Sequence, residues 1–257
     1  MFEEERKAKI MERLSIHSRV DVQELIRVLG VSESTVRRDL KELEEAKPLK
    51  RTHGGAVSLS SVNFEPSFTE KEIRFQEEKK AIAKKAAEFI RDGDTILLDS
   101  GTTTQCLVRE LKAFNRLTVV TNSVNFAYEL QNHSGIELML LGGTLRKGVL
   151  SLVGPFTDHC LGMIHVDKAF VAANGISVKQ GLTTPNFDEA QVKRHMIGSA
   201  KTVFLLADHS KVDEVSFASF GRLQDIHVFI TDDKAPESFI SAAENLGLEV
   251  HTAGTDD

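Results

Sequence analysis

The sequence of 257 residues contains no tryptophan, one tyrosine, two cysteines and five prolines. Cys106 and Cys160 lie in apolar segments without the spacing of metal ligands, so we expect reduced, buried or half-buried thiols. The nine histidines are scattered, and no pair combines a helical metal spacing with a third ligand. The sequence therefore predicts no metal site and no cofactor.

Long apolar runs are also missing. No segment approaches the ~18 consecutive apolar residues that a transmembrane helix requires. The first residues, MFEEER, are charged and lack the apolar stretch of a secretion signal. We therefore expect a cytoplasmic protein with no membrane partner.

The acidic excess is small and unevenly distributed along the chain. The net charge is −6, with 12 Lys and Arg against 11 Asp and Glu in residues 1–57, and 20 against 27 in the remainder. A net acidic protein can bind nucleic acid only through a local basic face. Length and composition predict a module at 1–57, a linker at 58–75 and a larger domain at 76–257.

Two short helices joined by a tight turn are predicted within the first module. Asp21 is a good N-cap, and Gly30 permits the positive φ of a sharp turn between helices. Ser32 is placed to cap the second helix. The first helix has one apolar stripe, formed by Val22, Leu25, Ile26 and Leu29.

The second of these helices has an apolar face and a polar, basic face. Val36, Leu40 and Leu43 point inward, and at ~100° per residue the opposite face carries Ser34, Arg37, Arg38 and Lys41. Asp39 is expected to orient a guanidinium. A preceding helix near residues 3–15 supplies the third wall of a small core. The alternative is a generic three-helix bundle with a solvated basic face.

The segments VSESTVRRDL at positions 31–40 and LKRTHGGA at 49–56 resemble the winged helix-turn-helix of the DeoR family of bacterial transcriptional regulators. One departure is Ala46-Lys47-Pro48, where the family usually has a glycine-containing turn between the recognition helix and the wing. The resemblance implies binding to double-stranded operator DNA by a homo-oligomer. The predicted DNA-binding residues are Ser32, Ser34, Thr35, Arg37, Arg38, Lys41, Lys50, Arg51 and His53.

Beyond the linker, short apolar runs alternate with helical segments. This pattern predicts an α/β domain with a mostly parallel sheet and helices on both faces. A run of lysines on its first helix, at positions 79, 80, 84 and 85, is typical of a solvated helix face. The expected strands are 95–98, 118–121, 136–140, 168–172, 203–207, 228–231 and 248–251, and the expected helices 77–90, 103–111, 123–130, 156–163, 188–199 and 236–244.

Small and polar residues follow several of these strands, where ligands of parallel sheets bind. The loop Asp99, Ser100, Gly101, Thr102, Thr103 and Thr104 places a glycine and successive hydroxyls at a helix N-terminus. Free N–H groups and the positive end of the helix dipole there suit a phosphate. The alternative is simple helix capping by Ser100 or Thr102. Other strand ends carry Asn122, Gly143, Asn174 and Lys211.

These loops also resemble the sensor domain of the same family, which is similar to ribose-5-phosphate isomerase. The resemblance implies a phosphorylated sugar effector, bound by the 99–104 loop and by Asn122, Gly143, Asn174 and Lys211. The Asp-Gly-Ala-Asp turn of the enzymes corresponds here to Asn174-Gly175-Ile176-Ser177, without a carboxylate. Isomerisation needs a positioned base, so we predict no catalytic residue and no enzyme activity.

The sequence thus predicts a DNA-binding regulator, a repressor of a sugar-catabolism operon controlled by a phosphorylated sugar. One alternative is a sugar-phosphate isomerase-like enzyme with an appended DNA-binding domain, for which Asp188 and Glu189 are the nearby carboxylates. Another is a regulator that senses a non-sugar anion.

Overall fold

The structure is a computed structural model, and it describes residues 2–17, 19–45, 49–52, 54–58 and 65–254, without the side chains of 15–17, 19 and 58. The chain divides into two compact units, Met1–Glu65 and Pro66–Asp257. His53 and the Ala46-Lys47-Pro48 turn lie outside the described residues. The finer boundaries at 57 and 76 stay a prediction.

The described residues of the N-terminal unit form three helices and a small antiparallel sheet. Its elements are α1 (Glu3–His17), β1 (Arg19–Asp21), α2 (Val22–Leu29), α3 (Glu33–Glu45), β2 (Leu49–Thr52) and β3 (Gly55–Ser58). The strand order is β1-β3-β2. The core is formed by apolar residues of all three helices and of the sheet, including Ile10, Leu14, Leu25, Val36, Leu40 and Leu49. This is the predicted winged helix-turn-helix.

The caps of this unit agree with the sequence. Asp21 is the N-cap of α2 and accepts a hydrogen bond from the backbone N–H of Gln23. Gly30 follows α2 with φ of 65°, the left-handed conformation that a sharp turn requires. The strand β1 was not expected from the sequence because it has only three residues.

The C-terminal unit is built on a seven-stranded parallel sheet in the order β15-β14-β12-β9-β4-β5-β6. The strands are β4 (Thr95–Leu98), β5 (Leu117–Thr121), β6 (Ile136–Leu140), β9 (Val166–Val171), β12 (Ala200–Leu206), β14 (Val228–Asp232) and β15 (Glu249–Ala253). All seven predicted strands are present, with ends shifted by a few residues at most.

Helices cover both faces of this sheet, as predicted. Leu97 belongs to the core on one face, whereas its neighbours Ile96 and Leu98 belong to the core on the other. The helices are α4 (Phe68–Ile73), α5 (Gln76–Ala87), α6 (Thr102–Glu110), α7 (Val124–Leu130), α8 (Pro155–Gly162), α9 (Phe187–Gly198) and α10 (Glu237–Asn245). None of the helices among the described residues is long and apolar enough to cross a membrane.

The helix α4 lies within the segment for which the sequence predicts a linker. Ser67 accepts a hydrogen bond from the N–H of Glu70, whose carboxylate accepts one from the N–H of Ser67. This reciprocal cap stabilises a helix of only six residues, too short to show an apolar period.

The sequence also missed two antiparallel additions to the domain. A hairpin pairs β7 (Thr144–Arg146) with β8 (Ser151–Val153), and a small sheet has the order β10-β11-β13. Its strands are β10 (Gly175–Ser177), β11 (Gly181–Thr184) and β13 (Ala218–Gly221). These strands have three or four residues, so they are too short to show clearly the alternation of apolar and polar residues that indicates a strand.

Candidate functional site

The exposed face of α3 carries the predicted DNA-binding side chains. Ser34, Arg37, Arg38 and Lys41 are exposed, while Val36 and Leu40 on the opposite face are buried. The helix therefore projects the polar and basic side chains that its period predicts.

Hydroxyl groups cluster at the N-terminus of α3. The Oγ of Ser32 accepts a hydrogen bond of 3.3 Å from the N–H of Thr35 and lies 2.9 Å from the hydroxyls of both Ser34 and Thr35. Ser32 thus caps the helix as predicted. The N-terminal residues of a recognition helix are those that contact base edges in helix-turn-helix proteins.

The two adjacent arginines of α3 have different surroundings. The guanidinium of Arg37 lies 2.7 Å from the carboxylate of Glu33, one turn earlier. Arg38 has no hydrogen-bond or ion-pair partner among the residues that the structure describes. Arg38 therefore requires no broken ion pair before it can bind a base or a phosphate.

Asp39 is buried and faces α1 rather than the solvent. Its carboxylate accepts hydrogen bonds from the Nε and Nη2 of Arg6, at 2.7 and 3.0 Å. The sequence predicts that Asp39 orients a guanidinium, and the structure identifies it as that of Arg6. Asp39 thus fixes α3 against α1 and contributes no negative charge to the exposed face.

The strand β2 carries Lys50 and Arg51, both half-buried. The N–H of Arg51 donates to the carboxylate of Glu44 at 2.9 Å, which ties the wing to the end of α3. Gly55 begins β3, where a Cβ would lie 1.8 Å from the carbonyl oxygen of Val20. Glycine is required there because β1 and β3 approach so closely.

In the C-terminal unit, the predicted ligand residues gather at the carboxyl ends of the parallel strands, here called the ligand edge. Asp99 and Ser100 follow β4, Asn122 follows β5, Asn174 follows β9 and Lys211 lies beyond β12. In the strand order, β12, β9, β4 and β5 are consecutive neighbours. The structure therefore brings these residues to one side of one sheet.

The 99–104 loop leads into α6 through Gly101. The Oγ1 of Thr104 accepts a hydrogen bond of 2.8 Å from the N–H of Gly101 and lies 2.5 Å from the carbonyl oxygen of Asp99. A Cβ on Gly101 would lie 2.9 Å from that of Ala172. Thr104 thus closes the loop with its own hydroxyl, whereas the Oγ of Ser100 is buried without a partner and caps nothing.

Asp99 forms an ion pair that the sequence did not reveal. Its Oδ2 contacts the Nζ of Lys193 and accepts a 3.0 Å hydrogen bond from the N–H of Ala172. Both side chains of this ion pair are almost fully buried. Lys193 also donates to the carbonyl oxygen of Ala172 at 2.9 Å, so it connects α9 to the ends of β4 and β9.

Glu189 lies one turn before Lys193 on the same helix and continues this network. Its carboxylate lies 2.8 Å from the Nη1 of Arg146 in the β7–β8 hairpin, 3.2 Å from the hydroxyl of Thr184 and 3.8 Å from Lys193. The hydroxyl of Thr184 also lies 3.3 Å from the Oδ1 of Asn174, one of the predicted residues.

These charged residues could have been found from the helical period of α9. Glu189 and Lys193 occupy the inward stripe of the helix together with Ala190, Val192 and Met196. Charged residues on a buried stripe must be paired, which marks a polar site. Asp188, the other carboxylate considered from the sequence, is exposed.

Lys79 corrects the prediction of a solvated lysine face on α5. It is buried, and its Nζ donates to the carbonyl oxygens of Lys71 and Arg74, the latter at 2.7 Å. Burial lowers the pKa of Lys79, and the negative charge of Asp208 partly opposes this shift. Lys80, at the next position of the run, is exposed as predicted.

Gly143 and Lys211 are the two remaining predicted residues. Gly143 has φ of 149°, and a Cβ there would lie 2.2 Å from the hydroxyl of Thr157, so packing against α8 requires glycine. Lys211 ends the 3-10 turn His209–Lys211, and its Nζ donates to the Oγ of Ser210 at 3.1 Å.

The described residues include several buried polar atoms that lack a hydrogen-bond partner. Within the described parts of the chain these are Asp99 Oδ1, Ser100 Oγ, Gln105 Oε1, Asn122 Oδ1, Ser151 Oγ, Asp208 Oδ2 and Thr231 Oγ1. Asp99, Ser100, Asn122 and Asp208 follow parallel strands, so their unpartnered atoms lie at the ligand edge. Buried polar atoms in proteins almost always have partners, so these exceptions mark a place where a polar ligand can bind. No group of three or more possible metal-ligating side chains occurs among the described residues.

Two family models match the two units of the chain. Residues 6–62 match the DeoR-like helix-turn-helix domain, and residues 74–233 match the DeoR C-terminal sensor domain. A structure of ribose 5-phosphate isomerase A from Methanocaldococcus jannaschii is 22% identical, with a TM-score of 0.38, and the match covers 52% of this chain and 53% of that one.

Three relatives match over nearly their whole lengths. HTH-type transcriptional regulator GlpR of Haloferax volcanii is 39% identical over 97% of this chain and 98% of its own. HTH-type transcriptional regulator GolR of Listeria innocua is 37% identical over 98% of this chain and 100% of its own. HTH-type transcriptional repressor GlcR of Bacillus subtilis is 38% identical over 97% of this chain and 96% of its own. The chain therefore belongs to the DeoR family of DNA-binding transcriptional regulators.

Proposed function

We propose that the protein is a repressor of a sugar-catabolism operon and that a phosphorylated sugar, bound at the ligand edge, weakens its binding to operator DNA. A relative that is 38% identical is named a transcriptional repressor, which supports the first part. A protein that acts on operator DNA works where the DNA is, and on that ground we propose a cytoplasmic location.

The observation that carries the choice of ligand is the chemistry of the unpartnered atoms. Asp99 Oδ1, Asp208 Oδ2 and the assigned Asn122 Oδ1 are acceptors, and the hydroxyls of Ser100 and Ser151 can accept or donate. Acceptors need donors, which a sugar supplies through several hydroxyl groups, whereas a simple inorganic anion carries few or none. The set therefore favours a polyhydroxylated ligand over a non-sugar anion.

The phosphate of such a ligand has cationic and N–H partners at the same edge. The helix α6 begins in the 99–104 loop without a side-chain cap from Gly101, so its first N–H groups and its dipole favour an anion. Lys211 lies at the end of the loop that follows β12, and its positive charge contributes to the lowered pKa of Lys79. We propose that the phosphate binds the N–H groups of Thr102 and Thr103 and pairs with Lys211.

We further propose that the site binds its ligand without converting it. A sugar-phosphate isomerase needs a base that is free to take a proton from carbon. The buried carboxylates at or beside the site all have partners: Lys193 pairs with Asp99, and Arg146 and Lys193 pair with Glu189. Asp208 accepts hydrogen bonds from the N–H and the hydroxyl of Ser210. Measurable turnover of ribose 5-phosphate or glucose 6-phosphate, abolished by Glu189→Gln, would overturn this part.

A thermal-shift experiment tests the ligand. Ribose 5-phosphate, glucose 6-phosphate and fructose 1-phosphate are compared with their parent sugars and with inorganic phosphate. A ligand at about 100 times its Kd stabilises the folded state by about 2.7 kcal/mol. We expect at least one sugar phosphate to raise Tm and the parent sugars to have no effect; a rise with phosphate alone would support the non-sugar anion instead.

The affinity of the variant Ser100→Ala for the ligand tests whether the ligand binds at the 99–104 loop. The Oγ of Ser100 has no partner, so its removal should leave the stability of the ligand-free protein unchanged or raise it. Binding should weaken about fivefold, which corresponds to one hydrogen bond of about 1 kcal/mol. Ser199→Ala is the matched control, because Ser199 is also buried but donates to the carbonyl of Met196 at the far end of α9. Equal binding by both variants would place the ligand elsewhere.

We also propose that the protein is a homo-oligomer. Helix-turn-helix proteins commonly read two half-sites related by the symmetry of a dimer. Light scattering coupled to size-exclusion chromatography should give a mass that is a multiple of 28.4 kDa. A monomer that still binds operator tightly at micromolar concentration would contradict this proposal.

A further inference from the structure

The junction between α4 and α5 contains a residue in an unfavourable backbone conformation. Phe75 has φ of 52° and ψ of 45°, the left-handed region, which bulky residues adopt only when their surroundings impose it. In the described parts of the chain, Leu150 and Asp213 are the other non-glycine residues with positive φ. Strain of this kind concentrates at functional sites and switch regions.

The side chain of Phe75 packs on the ligand edge. Its ring meets that of His209 edge to face, with the ring centres 5.0 Å apart. His209 is fixed in turn by Asp232, which accepts 2.7 Å and 2.8 Å hydrogen bonds from its N–H and its Nδ1. His209 lies between Asp208 and Lys211, two residues of the proposed site.

The helix α4 has two further contacts within the C-terminal unit. Lys79 donates to the carbonyl oxygens of Lys71 in α4 and of Arg74 directly after it. The carboxylate of Glu72 lies 3.5 Å from the guanidinium of Arg109 in the last turn of α6, the helix whose first turn belongs to the 99–104 loop. The corner formed by residues 68–79 therefore touches two elements that carry the proposed ligand residues.

This corner also stands where the chain enters the C-terminal unit, which begins at Pro66. A residue held in the left-handed region by its contacts has a second, more ordinary conformation that it adopts when those contacts loosen. Such a residue has the two discrete arrangements that a switch requires.

We propose that the 68–79 corner is a conformational relay. The position of His209 determines whether Phe75 stays left-handed, and Phe75 sets the direction in which α4 and Pro66 leave the domain. A ligand that draws Asp208 and Lys211 toward the 99–104 loop would move His209 and so change that direction. This inference rests on the proposed ligand site, but the mechanical link between His209 and α4 exists without ligand.

Amide hydrogen exchange of the ligand-free, full-length protein tests the link directly. His209→Ala removes the ring that supports Phe75, and we expect exchange in residues 68–79 to accelerate at least about tenfold, while α10 keeps its protection. His195→Ala is the matched control. It removes a histidine of α9 whose Nδ1 lies 3.1 Å from the carboxylate of Asp158 on α8, and neither helix belongs to the 68–79 corner. Unchanged protection of 68–79 in His209→Ala would overturn the relay.

A second measurement distinguishes a relay that controls DNA affinity from a packing contact that has no effect on it. The probe is whichever of ribose 5-phosphate, glucose 6-phosphate and fructose 1-phosphate raises Tm, and DNA affinity is measured on duplexes selected from a random pool. In the wild type we expect the probe to lower DNA affinity by about 5- to 150-fold, a typical allosteric coupling. Phe75→Ala should keep the thermal shift and lose most of this change in affinity.

A Phe75→Ala protein that retains the full response would overturn the relay even if its exchange were altered. If no sugar phosphate raises the Tm of the wild type, the proposed ligand is wrong, while the hydrogen-exchange comparison of His209→Ala and His195→Ala still decides the mechanical link.

Discussion

Asp39 and Arg6 join the recognition helix to the first helix through two hydrogen bonds, at 2.7 and 3.0 Å, between almost fully buried side chains. The pair fixes the rotation of α3 about its own axis. Because a buried carboxylate cannot lose its partner cheaply, the same pair links the stability of the N-terminal unit to the presentation of Arg37 and Arg38.

Replacing Asp39 by Ala should therefore destabilise the N-terminal unit. Removing one partner of a buried ion pair leaves the other charge uncompensated, and we expect a loss of about 3–5 kcal/mol. Glu33→Ala is the matched control, because it breaks only the exposed pair with Arg37 and should cost about 1 kcal/mol or less. Urea unfolding followed by circular dichroism measures both, and similar losses would show that the Asp39–Arg6 pair is not structural.

Two adjacent glycines in the wing should respond very differently to substitution. A Cβ on Gly55 would lie 1.8 Å from the carbonyl oxygen of Val20, whereas one on Gly54 would lie 3.5 Å from the Oδ2 of Asp21, an ordinary contact. Gly55→Ala should force β1 and β3 apart and lower the unfolding free energy by about 1–3 kcal/mol, as other overpacked positions do. Gly54→Ala should be close to neutral. The same urea titration compares the two variants, and equal costs would contradict the close approach of β1 and β3.

The sequence was most informative where the structure depends on neighbours along the chain. Asp21, Gly30 and Ser32 define the ends of α2 and α3 through local hydrogen bonds and backbone conformation, so residue type and spacing were sufficient. The inner parallel strands were similarly evident because β4, β5, β12 and β14 each contain a run of consecutive buried, mostly apolar residues.

The ligand edge was only half predictable, because much of it is assembled from distant positions. Asp99 and Lys193 are 94 residues apart, and nothing local to either residue indicates the other. Lys79 resembled its exposed neighbour Lys80 in sequence, and only the fold of α4 over it supplies the carbonyl oxygens that justify its burial.

The ion pair between Glu78 and Lys234 should make stability depend on pH. The hydrogen bond from Lys234 lowers the pKa of Glu78 below its ordinary value of 4.5. A carboxylate with a lowered folded-state pKa stabilises the protein above its ordinary value, and that stabilisation is lost as the pH falls through the folded-state pKa.

The Tm of wild type minus that of Glu78→Gln should therefore be positive at pH 7 and shrink on acidification below 4.5. The difference will be small because Lys234 is 55% exposed and screened by solvent. A difference that grew as the pH fell would have the wrong sign for this pair.

Arg38 and Lys50 should affect DNA binding in different ways. Arg38 lies on the exposed face of α3, where a guanidinium can pair bidentately with guanine, and Arg38→Ala should relax the preference at one base pair by about 1–3 kcal/mol. Lys50 lies on the wing, where a phosphate contact carries no sequence information, so Lys50→Ala should weaken all duplexes alike.

Salt dependence distinguishes these two contributions. Each phosphate contact releases counterions, so Lys50→Ala should reduce the slope of log K against log salt by about 1. Fluorescence anisotropy on selected and scrambled duplexes over a salt series provides both quantities. Lys201→Ala is the control, since it removes an exposed charge from the C-terminal unit and should change neither the preference nor the slope. If Arg38→Ala and Lys50→Ala both flattened the slope and left the preference intact, α3 would contact only the DNA backbone.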